Sequence, residues 1–225
     1  MLVEMSYPLS PDIPVFPGSP LDEFHPHTRL NKGGESNTTI IKHFLHNGTH
    51  VDAPFHFYDK GLTIDQVPIE NFYYEKPLII EKKLSKGGLL QPDDLFAYGQ
   101  AIHEADILIL CTGYHEIRSD AAGYADDFPS ISVETAKLIR TELLNVKAVA
   151  IDTLSIESCK LGPQLNFPVH KSLLDSDLYS TRSILIFEDV NMKPVLGKQI
   201  NHIYAFPLRL VGLDGSPVTI VAEVK

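Results

Sequence analysis

The stretch His46-Asn47-Gly48-Thr49-His50-Val51-Asp52-Ala53-Pro54-Phe55-His56 constrains this chain more than any other feature. Three of the chain's ten histidines and one aspartate fall inside it. Gly48 is unfavourable within a helix, and Pro54 ends one. The helical zinc-protease motif is also absent, because no Glu follows His46. The segment therefore reads as the end of a strand over residues 38–45, a turn at Asn47-Gly48, and an extended piece over residues 51–57. Side chains alternate along extended backbone, so His50, Asp52, Pro54 and His56 are predicted to share one face. His46, His50 and Asp52 offer two imidazoles and a carboxylate, the donors that hold a borderline divalent cation. His56 sits further along the same side. A solitary histidine is ordinarily solvated or hydrogen-bonded, but three of them phased with an aspartate are not accounted for that way. His43 breaks the phase and reads as outside the site. His25 and His27 fall in a polar loop, and His103, His115 and His202 belong to no pattern.

Around this cluster two periodicities alternate. Short apolar, β-branched runs predict strands over residues 3–9, 38–45, 78–81, 106–111, 148–152, 183–188, 203–210 and 217–224. Helices are predicted over residues 91–102, 132–144 and 169–179. The first opens with Pro92 and Asp93-Asp94 at the positive helix end. The second opens on Ser132 as N-cap and places Val133, Ala136, Ile139 and Leu143 on one face. Gly212 and Gly215 flank Asp214 in what reads as a hairpin loop. Prolines 8, 11, 14, 17 and 20 deny the N-terminal stretch regular structure beyond an edge strand. No repeat or composition break divides the chain. The reading is one mixed α/β domain over residues 1–225.

Composition removes several classes of function. Nineteen basic against 29 acidic residues give a net charge of -10, which disfavours nucleic acid and anionic membranes as partners. No apolar run is long enough to span a bilayer, and the N-terminus does not read as a signal peptide. With only Cys111 and Cys159, a disulfide framework is excluded. Cys111, at the end of the apolar run Ile107–Cys111, reads as a buried small hydrophobe. A reduced, cytoplasmic protein is expected.

The run from His46 to His56 resembles the His-x-Gly-Thr-His-x-Asp-x-Pro-x-His signature of the cyclase family of metal-dependent hydrolases, which includes bacterial kynurenine formamidases (arylformamidases) and isatin hydrolases. Further pieces resemble the family in order along the chain: Pro14-Val15-Phe16-Pro17-Gly18, Cys111-Thr112-Gly113-Tyr114, Ile151-Asp152-Thr153, Phe167-Pro168-Val169-His170, Ile186-Phe187-Glu188 and Asp214-Gly215-Ser216-Pro217. The resemblance implies a swivelling β/β/α fold and a dimer or tetramer. It implies that His46, His50 and Asp52 hold a first divalent metal, zinc or manganese. Asp52 would bridge to a second, completed by His170 and Glu188. It further implies hydrolysis of a small aryl amide or formamide, N-formylkynurenine among them, by metal-activated hydroxide with His56 as acid and base. Lactam or lactone hydrolysis of the isatin hydrolase type, and a non-catalytic member binding metal or a small molecule, are the alternatives. The chain departs from the family's formamidases in having no Trp. Phe16 and Tyr114 stand where those enzymes commonly carry one. Phe16, Tyr58 and Tyr114 are therefore the expected substrate contacts.

Overall fold

The computed structural model describes residues 1–225. Alternation within Ile107–Cys111 sets the order of the layers. Ile107, Ile109 and Cys111 join one buried apolar cluster, whereas Leu108 and Leu110 join another. A strand that is apolar on both faces belongs inside a sheet covered on both sides. It pairs in parallel with Pro77–Glu81 and with Ala148–Ile151, which in turn pairs in parallel with Leu185–Glu188. His50–Asp52 adds antiparallel to Leu185–Glu188, and Gly215–Pro217 adds antiparallel to His50–Asp52 as the edge of the six-stranded sheet.

A second, antiparallel sheet runs in the order Leu2–Glu4, Val221–Val224, Ile200–Tyr204, Tyr73–Tyr74. Its Ile203, Ala222 and Val224 pack with Val51, Ile109, Ala150 and Phe187 in a core between the sheets. The opposite face is covered by the helices Val133–Glu142 and Pro168–Leu174. Their Ala136, Ile139, Val169 and Leu173 meet Leu108, Val149 and Ile186. The layers are therefore β/β/α, as the family resemblance implied.

Local structure departs from the sequence reading in identifiable places. Ser132 caps its helix as expected, accepting a hydrogen bond from Thr135 N. The segment 91–102 is two short helices, Pro92–Phe96 and Gln100–Glu104, separated at Gly99, whose φ of 55° no helix permits. The third helix begins at Pro168 and ends at Leu174. The segment 217–224 is divided between the two sheets, because Gly215–Pro217 pairs with His50–Asp52 and Val221–Val224 with Ile200–Tyr204. The strand expected over residues 38–45 stops at Lys42. It pairs with Glu23–Thr28, the segment of His25 and His27, which is a strand and not the polar loop expected. This hairpin projects into solvent, leaving Ile40 and Ile41 more than half exposed.

Candidate metal centre

Alternation on two neighbouring strands builds the site. Val51 and Phe187 are buried between the sheets, so His50, Asp52 and Glu188 take the opposite, helix-covered face. The antiparallel register sets Glu188 against His50 and Ile186 against Asp52. Pro168 opens the helix above, which brings His170 in its first turn over the same face. His50 Nε2 lies 3.3 Å from Asp52 Oδ1 and 3.4 Å from Glu188 Oε2. His170 Nε2 lies 3.4 Å from Glu188 Oε1 and 3.7 Å from Asp52 Oδ2. All four residues are buried.

Two atoms in this group, His50 Nε2 and Asp52 Oδ2, have no hydrogen-bond partner. A buried polar atom left unpaired is costly, and a buried charge more so. The opposite nitrogens are held: His50 Nδ1 donates to the Gly48 carbonyl at 2.8 Å, and His170 Nδ1 meets Glu157 Oε2 at 2.7 Å. Imidazoles anchored at Nδ1 and presenting Nε2 to carboxylates are arranged as metal ligands are. The donor set of two imidazoles and two carboxylates fits a divalent cation such as zinc or manganese. Glu188 is further fixed by the Ile156 N–H at 2.7 Å and the Ser155 hydroxyl at 3.1 Å.

Without a cation the electrostatics are those of a proton-loaded ligand set. Burial opposes charge on His170, but its bonds to Glu157 and Glu188 outweigh that and push it up to about 10. His50 is likewise raised, its pairing with Asp52 and Glu188 overcoming burial. Burial and the charge of Asp52 push Glu188 upward, yet His170 and His50 prevail and bring it to about 2.

His46 and His56 reach the cluster from its rim. His46 Nδ1 lies 2.8 Å from Asp52 Oδ1, and its Nε2 lies 2.8 Å from Asp214 Oδ2. His56 does not share an extended face with Asp52. The strand ends at Asp52, and Pro54–His56 forms a 3-10 turn, because the proline fixes its own φ in the helical range. That turn stacks the His56 ring on His46, with centroids 3.9 Å apart, and sets Nδ1 3.3 Å from Asp214 Oδ2. Asp214, which read only as a hairpin residue, enters because Gly215–Pro217 is zipped to His50–Asp52. Bonds to His46 and His56 hold its carboxyl well below the usual range. Gly48, at φ 67°, permits the turn that separates His46 from His50; a Cβ there would meet Leu9 Cδ2 at 2.6 Å.

A cavity of about 190 Å³ opens over this cluster. Phe16, Phe44, Phe57, Leu154 and Phe167 form its wall, with His46, His56, His170 and Glu188 also lining it. Phe57 stacks on His170 with centroids 4.5 Å apart. Of the three expected substrate contacts, Phe16 lines this cavity. The other two expected contacts lie elsewhere. Tyr114 is buried, stacked on Tyr124, with its hydroxyl donated to the Gly123 carbonyl at 3.1 Å. Tyr58 points to Ser176 and Asp177, outside the cavity. His43 is taken up by Asp22 at 2.7 Å, and His25, in a strand and not a loop, by Glu23 at 2.9 Å.

A β/β/α chain with an imidazole–carboxylate cluster at one end of its central sheet belongs to a defined class, and comparison identifies it. The chain belongs to the cyclase family, whose model matches residues 3–158. It is 24% identical over 219 residues to the kynurenine formamidase of Bacillus mycoides, spanning 97% of this chain and 95% of that one. Its fold superimposes on isatin hydrolase A from Ralstonia solanacearum with a TM-score of 0.80 at 20% identity, covering 99% of this chain and 91% of the other. It superimposes on a potential metal-dependent hydrolase with cyclase activity with a TM-score of 0.72 at 22% identity, over 99% and 96% of the two chains. No helix is long and apolar enough to cross a membrane.

Proposed function

We propose that this chain is a metal-dependent hydrolase that cleaves the carbonyl–nitrogen bond of small aryl amides and formamides, a class that includes N-formylkynurenine. The observation that carries this reading is the pair of buried, unpartnered ligand atoms, His50 Nε2 and Asp52 Oδ2, beneath a phenylalanine-walled cavity that also presents His56. Zinc or manganese, two ions per chain, would be held by His46, His50, Asp52, His170 and Glu188, supplying Lewis acidity toward a carbonyl oxygen and toward water. His56 takes a proton from the attacking water and returns it to the leaving nitrogen. Asp214 orients that imidazole through Nδ1, leaving Nε2 to carry the proton. The phenylalanine wall receives the aryl ring and excludes bulk water from the reacting carbonyl. A homodimer or tetramer is part of the same proposal.

One observation favours lactam or lactone hydrolysis as a second reading. No Lys or Arg lines the cavity, so the wall offers no cation to the carboxylate of an amino-acid substrate. The test is turnover of N-formylkynurenine, formanilide, isatin and an aryl lactone by metal-loaded protein. Cleavage of at least one is expected, and His56→Ala should lower kcat by about 10²–10⁴-fold. A fully metal-loaded chain that turns over none of them is a binding protein, and the hydrolase reading is then wrong.

A further inference from the structure

A second set of metal-ligating side chains lies on the other face of the central sheet. Cys111 ends the strand Ile107–Cys111, and Asp152 directly follows Ala148–Ile151. The register pairs Leu110 with Ile151, so Cys111 and Asp152 emerge side by side at the carboxyl ends of adjacent parallel strands. Ligands of open α/β sheets characteristically bind at that end. His115 joins them from the 3-10 turn Tyr114–Ile117 that follows. Cys111 packs in the same cluster as Val51 and Phe187, so it is turned away from the face that carries Asp52 and Glu188.

The distances define a coordination triangle. Cys111 Sγ lies 4.0 Å from His115 Nδ1 and 4.0 Å from Asp152 Oδ2, and the last two atoms are 2.7 Å apart. The point equidistant from the three atoms is about 2.1 Å from each, the roughly 2.0–2.2 Å at which zinc binds imidazole and carboxylate, and a small outward shift of the sulfur and parting of Nδ1 from Oδ2 would bring the thiolate to its roughly 2.3 Å and the ion out of the ligand plane. The three residues are 5, 7 and 0% exposed. Asp152 is held rigidly, accepting from Thr112 N at 2.8 Å, Thr112 Oγ1 at 2.7 Å and Gly113 N at 3.0 Å. Such outer bonds are what orient a metal-binding carboxylate. A thiol–imidazole–carboxylate relay is a poorer description. In a relay the imidazole turns one nitrogen to each partner, whereas here Nδ1 faces both sulfur and carboxylate.

On this geometry we propose that Cys111, His115 and Asp152 form a zinc site separate from the hydrolytic centre, with three protein ligands and its fourth position open. The open side faces a cavity of about 240 Å³ bordered by Glu81, Lys82, Lys83 and Glu116. Structural zinc is ordinarily enclosed by four protein ligands, so a three-ligand site of this kind leaves room for an exchangeable water or a small anion. Binding releases the Cys111 thiol proton, while neutral His115 coordinates through Nδ1 and keeps its one ring proton on Nε2. The site does not depend on the hydrolase reading, because no cysteine belongs to the imidazole–carboxylate cluster.

Sulfur makes the site separately observable. Cobalt(II) added to the metal-stripped full chain should produce a near-ultraviolet thiolate-to-cobalt charge-transfer band that saturates by three equivalents, because the hydrolytic centre takes up to two ions of its own. Cys111→Ser should abolish the band and bind one ion fewer, whereas Cys159→Ser should keep both. X-ray absorption on zinc-loaded wild type, which needs no variant to fold, should show one sulfur at about 2.3 Å. Absence of sulfur from the zinc shell, or a band that survives in Cys111→Ser, overturns the proposal.

Discussion

Replacing Asp214 with alanine removes one carboxylate from two imidazoles at once. Its Oδ2 lies 2.8 Å from His46 Nε2 and 3.3 Å from His56 Nδ1. A hydrogen bond to a charged group contributes about 1.5–3 kcal/mol. The Asp214 side chain is 36% exposed, so solvent screens it and the lower end applies. The 3.3 Å contact is long and adds little. The expected loss is therefore about 1.5–2 kcal/mol, or roughly 10–30-fold, at 1.36 kcal/mol per factor of ten. It should divide between zinc affinity, through the orientation of His46, and kcat, through that of His56. Competition against a chromophoric chelator reads the first, and steady-state hydrolysis of an aryl formamide at saturating metal reads the second. Asp214→Asn keeps an oxygen acceptor without the charge and should recover part of both. An alanine variant within twofold of wild type in affinity and in kcat would refute the role assigned to Asp214.

Three further outcomes follow from the same geometry. In the metal-free chain His170 is pushed up to about 10 from 6.5, so its stabilisation is complete below pH 6.5 and lost as pH rises toward 10. Glu188, lowered to about 2 from 4.5, has the opposite sign: its contribution is complete above pH 4.5 and lost as pH falls toward 2. A cation takes the place of the His170 proton, so melting curves of chelated and zinc-loaded protein should diverge above pH 6.5, and parallel curves would count against the ligand set. Gly215→Ala places a Cβ 2.8 Å from the Val51 carbonyl and 3.0 Å from His46 Cε1. It should displace His46 and weaken zinc binding about tenfold, as a disturbed outer shell does, measured by the same chelator competition. Phe187→Ala empties a fully buried position between the sheets and should cost about 3–5 kcal/mol, read as a lowered urea midpoint.

What was legible in the sequence was whatever local chemistry determines. Gly48 and Pro54 forbid a helix through the histidine run, and the doubly apolar Ile107–Cys111 demands a strand covered on both faces. Residues whose roles arise from long-range pairing left no local mark. Asp214 reaches His46 and His56 only because Gly215–Pro217 pairs with a strand more than 150 positions earlier. Glu157 holds His170 from a loop 13 residues before it, with no motif of its own. Cys111 was read as core, which its burial bears out, but His115 and Asp152 become its neighbours only once the parallel register is known. The polar run around His25 and His27 concealed a strand, and Gly99 divided a helix whose charge and apolar pattern ran on. His170 and Glu188 entered through family resemblance, since nothing in 225 residues of sequence links them to His50.

The central claim is that Asp52 stands at the middle of a metal centre, within 4 Å of His46, His50 and His170 nitrogens. The most direct test is metal content per chain, measured by elemental analysis on wild type and Asp52→Asn after equal loading with zinc. The proposed centre predicts that the variant holds fewer ions than wild type, while retaining its fold by circular dichroism and having no hydrolytic turnover. A folded Asp52→Asn chain that binds as much zinc as wild type would contradict it.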